Sequence, residues 1–197
     1  MRESTTTLRS VCGIGELEAH GDRSVTHVLS IMDPGWSTPA AFARYPAHHR
    51  LDLRFHDAIE EAPDVILPER SDVEAILAFG SRLAADHADR GDGHVLIHCH
   101  AGVSRSTAAM LSLITQAHPA ESEETLVERL VAIRPQAWPN LRMVGFADEL
   151  LGRDGRLVAT LGRLYLRQLA RQPSLAEERY RQSRGREVEH ARNNREA

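Results

Sequence analysis

Residues 93–107 read Gly-His-Val-Leu-Ile-His-Cys-His-Ala-Gly-Val-Ser-Arg-Ser-Thr, and the rest of the chain is organised around this stretch. The apolar run Val95-Leu96-Ile97 follows a glycine and predicts a buried strand. Small residues come after Cys99, and a run of good helix formers begins after Arg105, which predicts a tight loop and then a helix N-terminus. The stretch is therefore interpreted as strand, loop and helix in that order.

The composition indicates one soluble domain of ordinary size. The chain has 197 residues, of which 42% are hydrophobic, and all 24 basic residues are arginine, while the formal net charge is −4. This charge does not favour nucleic-acid binding. No apolar run approaches the roughly 20 residues of a membrane-spanning helix, and the N-terminus has no signal-peptide pattern. We therefore expect a cytoplasmic protein that binds neither nucleic acid nor membranes.

The sequence predicts neither a disulfide nor a metal site. Its two cysteines, Cys12 and Cys99, are far apart in sequence and no disulfide framework surrounds them, so both are expected to be reduced thiols. His98, Cys99 and His100 are adjacent, and at a strand end their side chains would point in different directions. We expect no cofactor.

Strand and helix signals alternate along the chain, which is typical of an α/β fold. Strands are predicted over 5–12, 24–32, 50–55 and the run before Cys99. Ser71 is a predicted N-cap with Glu74 as its capping-box partner. Further helices are predicted after Arg105, from Ser122 to Arg134, over 141–151 and over 156–172, whereas 36–50 and 57–68 are predicted to be irregular. We expect a central mixed or mostly parallel sheet flanked by helices, with a helical C-terminal extension.

The last segment differs from the rest in composition. Residues 174–197 contain six Arg and five Glu with few apolar residues. Such a segment is either a solvated helix or disordered, and the sequence leaves both open. We therefore expect one domain over residues 1–172 and a charged C-terminal tail over 173–197.

The residues from Cys99 to Ser106 suit a phosphate ester. A thiol at a strand end that faces a helix N-terminus is placed where backbone N–H groups stabilise a thiolate or bind an anion. Ala101 and Gly102 have little bulk, so successive N–H groups can converge on one anion. The Arg105 guanidinium can bind two phosphate oxygens at once, and the Ser106 hydroxyl can donate to the sulfur when it departs.

The same residues resemble a known signature. Residues 98–106 are similar to the His-Cys-x5-Arg-Ser/Thr signature of the cysteine-dependent protein tyrosine phosphatases, and the Ala-Gly-x-Ser-Arg-Ser ending resembles the dual-specificity branch. Arg134-Pro135-x3-Pro139-Asn140 is similar to a second element of that branch. The resemblance covers roughly residues 25–152 and implies a phosphatase-like domain.

The resemblance implies a role for each matching position. Cys99 would be the nucleophile that forms a phosphocysteine, Ser106 would assist its breakdown, and His98 would set the environment of the thiol. Asn140 would lie close to the phosphate loop, and no metal would be needed. Phosphate would be bound by the Arg105 side chain and by the backbone of His100, Ala101, Gly102, Val103, Ser104 and Arg105. The side chain of His100 either lines the rim of the pocket or packs.

The family also uses a carboxylic acid that protonates the leaving oxygen. Asp57 ends the alternating strand and is our candidate for this general acid. It lies 42 residues before Cys99, a longer gap than is usual in the family, so residues 58–68 are interpreted as an insertion. Asp64 is the main rival, followed by Glu60 and Glu61.

These observations predict a metal-independent phosphatase that acts on phosphotyrosine or on phosphoserine and phosphothreonine proteins. The alternatives are a phosphatase for an inositol phosphate or an RNA end, a sulfur-transfer or arsenate-reducing enzyme, and a non-catalytic phospho-binding module. The absence of a lysine in the loop after Cys99 argues mildly against an inositol-lipid substrate.

Overall fold

Four parallel strands form one sheet in the order β1-β4-β2-β3, which confirms the expected α/β class. The computed structural model describes residues 8–90 and 93–194, so residues 5–7 of the first predicted strand lie outside it. The strands are β1 (Leu8–Gly13), β2 (His27–Met32), β3 (His49–Arg54) and β4 (His94–Cys99).

The central strand β4 is buried on both faces, as parallel strands between two layers are. Side chains alternate along a strand, so Val95 and Ile97 join the main core, whereas Leu96 joins a smaller core on the other face. Helices cover the main core. The smaller core is covered by two short 3₁₀ helices, Ile14–His20 and Ala40–Arg44.

Seven α-helices follow in the described part of the chain: α1 (Arg70–Arg90), α2 (Arg105–Ala117), α3 (Glu123–Ile133), α4 (Leu141–Leu150), α5 (Arg156–Arg171), α6 (Leu175–Arg181) and α7 (Gly185–Asn193). Helix α2 is central, because its residues from 105 to 115 are buried and it contacts α1, α3 and α4. No helix among the described residues has the length and apolar character needed to cross a membrane.

Some predicted boundaries are wrong. Helix α1 begins at Arg70, and the Asp72 carboxylate accepts a hydrogen bond of 2.8 Å from the N–H of Glu69. Ser71 therefore lies inside the helix and is not its N-cap. The second strand begins at His27 instead of Ser24, and the segment predicted to be irregular contains the 3₁₀ helix Ala40–Arg44.

The charged C-terminal segment forms the helices α6 and α7, but it packs against the rest of the chain and is not the solvated helix considered from the sequence. Val188 and Ala191 are buried in the main core. The Glu187 carboxylate is also buried, and it accepts hydrogen bonds from Trp138 Nε1 at 2.6 Å and from Leu141 N–H at 3.1 Å. Arg184 pairs with the same carboxylate at 2.7 Å. The buried Glu187 carboxylate is thus satisfied by two donors that are distant in sequence, Trp138 and Leu141, and by Arg184 three residues before it.

We expect Glu187→Ala to destabilise the fold strongly. The substitution leaves the Trp138 indole N–H without its acceptor and removes one of the two carboxylates that pair with the buried Arg184 guanidinium, the other being Asp57. Breaking a buried pair from one side costs about 3–5 kcal/mol. Glu189→Ala on the exposed side of the same helix is the matched control and should change stability by less than about 0.5 kcal/mol. Urea unfolding followed by circular dichroism measures both, and equal midpoints for the two variants would contradict this account.

Candidate active site

The Cys99 thiol lies where the sequence places it, at the carboxyl end of β4 and below the N-terminus of α2. Its side chain is buried, and Sγ is 3.1 Å from Ser106 Oγ in the first turn of that helix. The other thiol, Cys12, lies on the neighbouring strand β1 but faces the smaller core, on the opposite side of the sheet from Cys99. Burial above all, and then Glu16, raise the pKa of Cys12 to about 12, so it stays protonated at neutral pH.

The loop from His100 to Ser104 is held by its carbonyl oxygens, all five of which accept hydrogen bonds from surrounding structure. The donors are Ile14 N–H to His100 O (3.0 Å), Arg134 Nη2 to Ala101 O (3.2 Å), Arg134 Nε to Gly102 O (3.0 Å), Trp138 N–H to Val103 O (2.9 Å) and Ala108 N–H to Ser104 O (2.9 Å). Among the described residues, no acceptor takes the N–H groups of residues 101–105. Those N–H groups are therefore available to an anion beside Cys99.

Two glycines permit the close approach of β1 to this loop. Gly102 has φ +69°, and a Cβ there would lie 2.4 Å from the carbonyl carbon of Cys12. A Cβ on Gly13 would lie 2.9 Å from the carbonyl oxygen of His100. A side chain at Gly102 is excluded both by the left-handed backbone and by the contact.

The side chain of Arg134 connects the sequence element at residues 134–140 to the loop of the signature at residues 98–106. Besides the two loop carbonyls, its guanidinium binds both carboxylate oxygens of Glu16, at 2.9 and 2.8 Å. These hydrogen bonds lower the pKa of Glu16, and Glu16 also accepts from the N–H of Gly13 at 2.6 Å. Arg134 thus fastens the loop to the turn after β1.

Arg105 is almost completely buried, with 3% of its side chain exposed. Its Nη1 donates to Asp33 Oδ1 and to the Phe55 carbonyl, both at 2.6 Å, and its Nε has no partner among the described residues. In the sequence Asp33 stands in Asp33-Pro34-Gly35, a strong turn signal that predicts no role at the site. Its position directly after β2 is the signal that could have placed it here, because the carboxyl ends of parallel strands meet at one edge of the sheet.

Asp57 also lies at this edge, just after β3, and is bound to the loop. Its Oδ1 accepts from Ser104 Oγ at 2.7 Å and from Asn140 Nδ2 at 3.0 Å, and its Oδ2 is 3.0 Å from Arg184 Nη1. Burial acts to raise the pKa of Asp57, but the charges of Arg184 and Arg105 and the two hydrogen bonds outweigh it. The pKa therefore lies below the ordinary value of 3.8.

The rival acids lie elsewhere. Asp64 is exposed, has φ +59° and does not line the cavity around Cys99. Glu60 lies 3.5 Å from Arg186, and Glu61 is exposed on the same loop. Asp57 is thus the carboxylate that the structure brings to the phosphate loop from among the four considered in the sequence.

The two histidines that flank the thiol differ in their surroundings. His98 is fully buried against the Phe42 ring, and burial lowers its pKa to about 4, so it is neutral at neutral pH and gives no positive charge to the thiol. His100 lies at the rim, where its Nε2 accepts from Asp33 N–H at 3.3 Å and its ring is 4.6 Å from Trp36. His100 therefore both lines the rim and packs.

An open cavity lies above Cys99 and the phosphate loop. Asp33, Asp57, His100 and Arg105 line it, and Glu178 and Arg179 of helix α6 and Gln182 directly after that helix also contribute. This contribution could not be predicted, because the charged composition of residues 174–197 does not indicate how the segment packs. The Arg179 guanidinium lies 5.1 Å from the centre of the Trp138 ring.

Comparisons with protein-family models and with curated protein sequences find no match. Solved structures do match. Human DUSP28 superposes with a TM-score of 0.54 and 16% sequence identity, covering 76% of this chain and 94% of that one. Cydia pomonella PTP-2 phosphatase superposes with a TM-score of 0.54 and 19% sequence identity, covering 76% of this chain and 90% of that one. PTPMT1 in complex with PI(5)P superposes with a TM-score of 0.51 and 15% sequence identity, covering 77% of this chain and 94% of that one.

The matches extend over nearly the whole length of these structures, at identities that report on the fold alone. The chain therefore has the fold of these phosphatase structures, which is the fold that the resemblance at residues 98–106 implies.

Proposed function

We propose that the protein hydrolyses phosphate monoesters through a phosphocysteine at Cys99. The observation that supports this most is the loop above the thiol, in which five carbonyls are bound by the scaffold and the N–H groups of 101–105 are left to an anion. Arg105 Nε adds a buried donor with no partner among the described residues. A phosphoryl group bound there would lie directly against a nucleophilic sulfur.

The proposed cycle has two displacements at phosphorus. The Cys99 thiolate attacks, so that an S–P bond forms while the ester P–O bond breaks, and Asp57 gives its proton to the departing oxygen. Water then attacks the phosphocysteine, Asp57 takes a proton from it, and the S–P bond breaks to release phosphate. Ser106, 3.1 Å from the sulfur, stabilises the departing thiolate. Asn140 and Ser104 position Asp57.

The lowered pKa of Asp57 has a consequence for the rate. A general acid must carry its proton when the ester bond breaks, and the protonated fraction of Asp57 falls as pH rises through its pKa. Because the pKa lies below the ordinary value in this structure, we expect kcat/KM to be greatest in the acid range and to fall as pH rises.

We propose phosphorylated proteins as the substrates, with phosphotyrosine and phosphoserine or phosphothreonine as the two options. The open cavity could admit a residue of a folded partner. The alternative is a non-protein phosphoester. PTPMT1 shares the fold and was solved with PI(5)P, so a phosphoinositide belongs in the same substrate panel. A nucleophilic thiol also requires a reducing compartment, which supports a cytoplasmic location.

We expect Cys99→Ser to lower aryl phosphate hydrolysis at least about a thousandfold, since a serine hydroxyl is a far weaker nucleophile than the thiolate that it replaces. Cys12→Ser is the matched control, because that thiol faces the other side of the sheet, and it should retain activity if circular dichroism shows a native fold. Chelator should not change the rate of the wild type. A wild type without activity on any phosphoester of the panel would refute the proposed function.

We expect Asp57→Asn to slow turnover about a hundredfold on an ester with a poor leaving group, and far less on p-nitrophenyl phosphate, because a good leaving group needs no proton. The fall of kcat/KM with rising pH should disappear in the same variant. Asp64→Asn is the control and should behave as the wild type. If Asp57→Asn keeps the pH dependence and Asp33→Asn loses it, the proton donor is Asp33.

A further inference from the structure

A second cluster of chemically active side chains lies at the opposite end of the sheet from Cys99. His27 begins β2, His49 begins β3, and the two residues are partners in the register of these strands. Asp86 comes from the last turns of α1. His27 is six residues before Asp33, so at about 3.3 Å per residue the cluster lies about 20 Å from the phosphate loop.

The ligand atoms of the three side chains converge. Asp86 Oδ2 is 3.0 Å from His27 Nε2 and 3.5 Å from His49 Nε2, and the three atoms all lie within 4.8 Å of one another. Zinc binds imidazole nitrogen and carboxylate oxygen at about 2.0–2.2 Å, so ligands in a tetrahedral site are about 3.4 Å apart. The two distances from Asp86 are on either side of that value.

The hydrogen bonds of Thr26 indicate which ring nitrogen of His27 carries the proton in the neutral ring. Thr26 Oγ1 accepts from the N–H of His94 at 3.1 Å and donates to the carbonyl of His94 at 3.2 Å. Its remaining lone pair faces His27 Nδ1 at 2.9 Å, which therefore carries the ring proton. In the neutral ring, Nε2 then directs its lone pair towards Asp86 Oδ2, 3.0 Å away. A cation between these two acceptors makes the contact favourable.

A hydrogen bond from the distal ring nitrogen is also the usual support of a metal-binding histidine. In addition, His27 is buried, with 2% of its side chain exposed, whereas His49 is 48% exposed and open to solvent. The cluster thus combines a buried, oriented ligand with a ligand that an ion in solution can reach.

We propose that His27, His49 and Asp86 bind a divalent transition-metal ion, with zinc as the best fit to two imidazoles and one carboxylate. Three protein ligands leave one position for water or an external ligand. The ion joins the starts of β2 and β3 to the C-terminal turns of α1. The three residues are 22 and 37 positions apart in sequence, which is why no local spacing indicated a metal site. This site is independent of the proposed phosphatase activity.

The test is zinc binding to the full-length Cys99→Ser protein, in which the metal cannot bind the catalytic thiol. Equilibrium dialysis against Zn²⁺, with the metal measured by mass spectrometry, should show one ion per chain. His49→Ala in this background should weaken binding at least about tenfold, and Asp86→Asn should do the same. His48→Ala, next to the site in sequence, is the matched control and should bind as the parent does.

Thermal unfolding gives a second readout that does not depend on activity. Zn²⁺ should raise the unfolding midpoint of the Cys99→Ser protein and of its His48→Ala derivative, and chelator should reverse the shift. His49→Ala should remove the shift while leaving the metal-free midpoint nearly unchanged, because His49 is half-exposed. The absence of saturable zinc binding, or equal binding by the His49→Ala protein, would overturn the proposal.

Discussion

The structure depends on the hydrogen bonds that hold the carbonyl oxygens of residues 100–104. A tight loop can present its N–H groups to an anion only if its carbonyls, which carry the opposite partial charge, are bound elsewhere. Here the donors come from the turn after β1, from the side chain of Arg134 and from the backbone of Trp138 and Ala108. Without them, the carbonyl dipoles could turn towards the thiol and oppose a bound phosphate.

These donors are themselves held by the C-terminal third of the chain. Gln168 of α5 donates to the carbonyls of Pro135 and Ala137 at 2.8 and 3.0 Å, and the Tyr165 ring stacks on Trp138 with centroids 4.4 Å apart. Tyr165 Oη also donates to the Pro139 carbonyl. Glu187 of α7 accepts from the Trp138 indole. Helices that carry no part of the signature therefore determine how firmly the segment 134–140 supports the phosphate loop.

The structural features that depend on a local pattern of residues could be predicted from the sequence. The strand, loop and helix around Cys99, the parallel α/β class and the position of Asn140 beside the loop could all be inferred, because apolar runs, small residues and a known spacing encode them. The contacts of Asp33 and Arg184 could not. Asp33 is the first residue of a turn signal that accounts for it locally. Arg184 lies in a segment whose charges suggest exposure to solvent, although it is buried beside its partners Asp57 and Glu187. Pairing between distant charges leaves no periodic trace in a sequence.

The most direct test of the account is to detect the phosphocysteine. Ser106→Ala removes the hydroxyl 3.1 Å from Cys99 Sγ, so the second displacement should slow more than the first and the intermediate should accumulate. The Ser106→Ala protein would be mixed with an aryl phosphate, quenched in acid within milliseconds to seconds, digested and sequenced by mass spectrometry. The account predicts one phosphoryl group per chain on Cys99, at a level above that of the wild type. Turnover with the phosphoryl group on another residue, or with none on the chain at any time point, would contradict it.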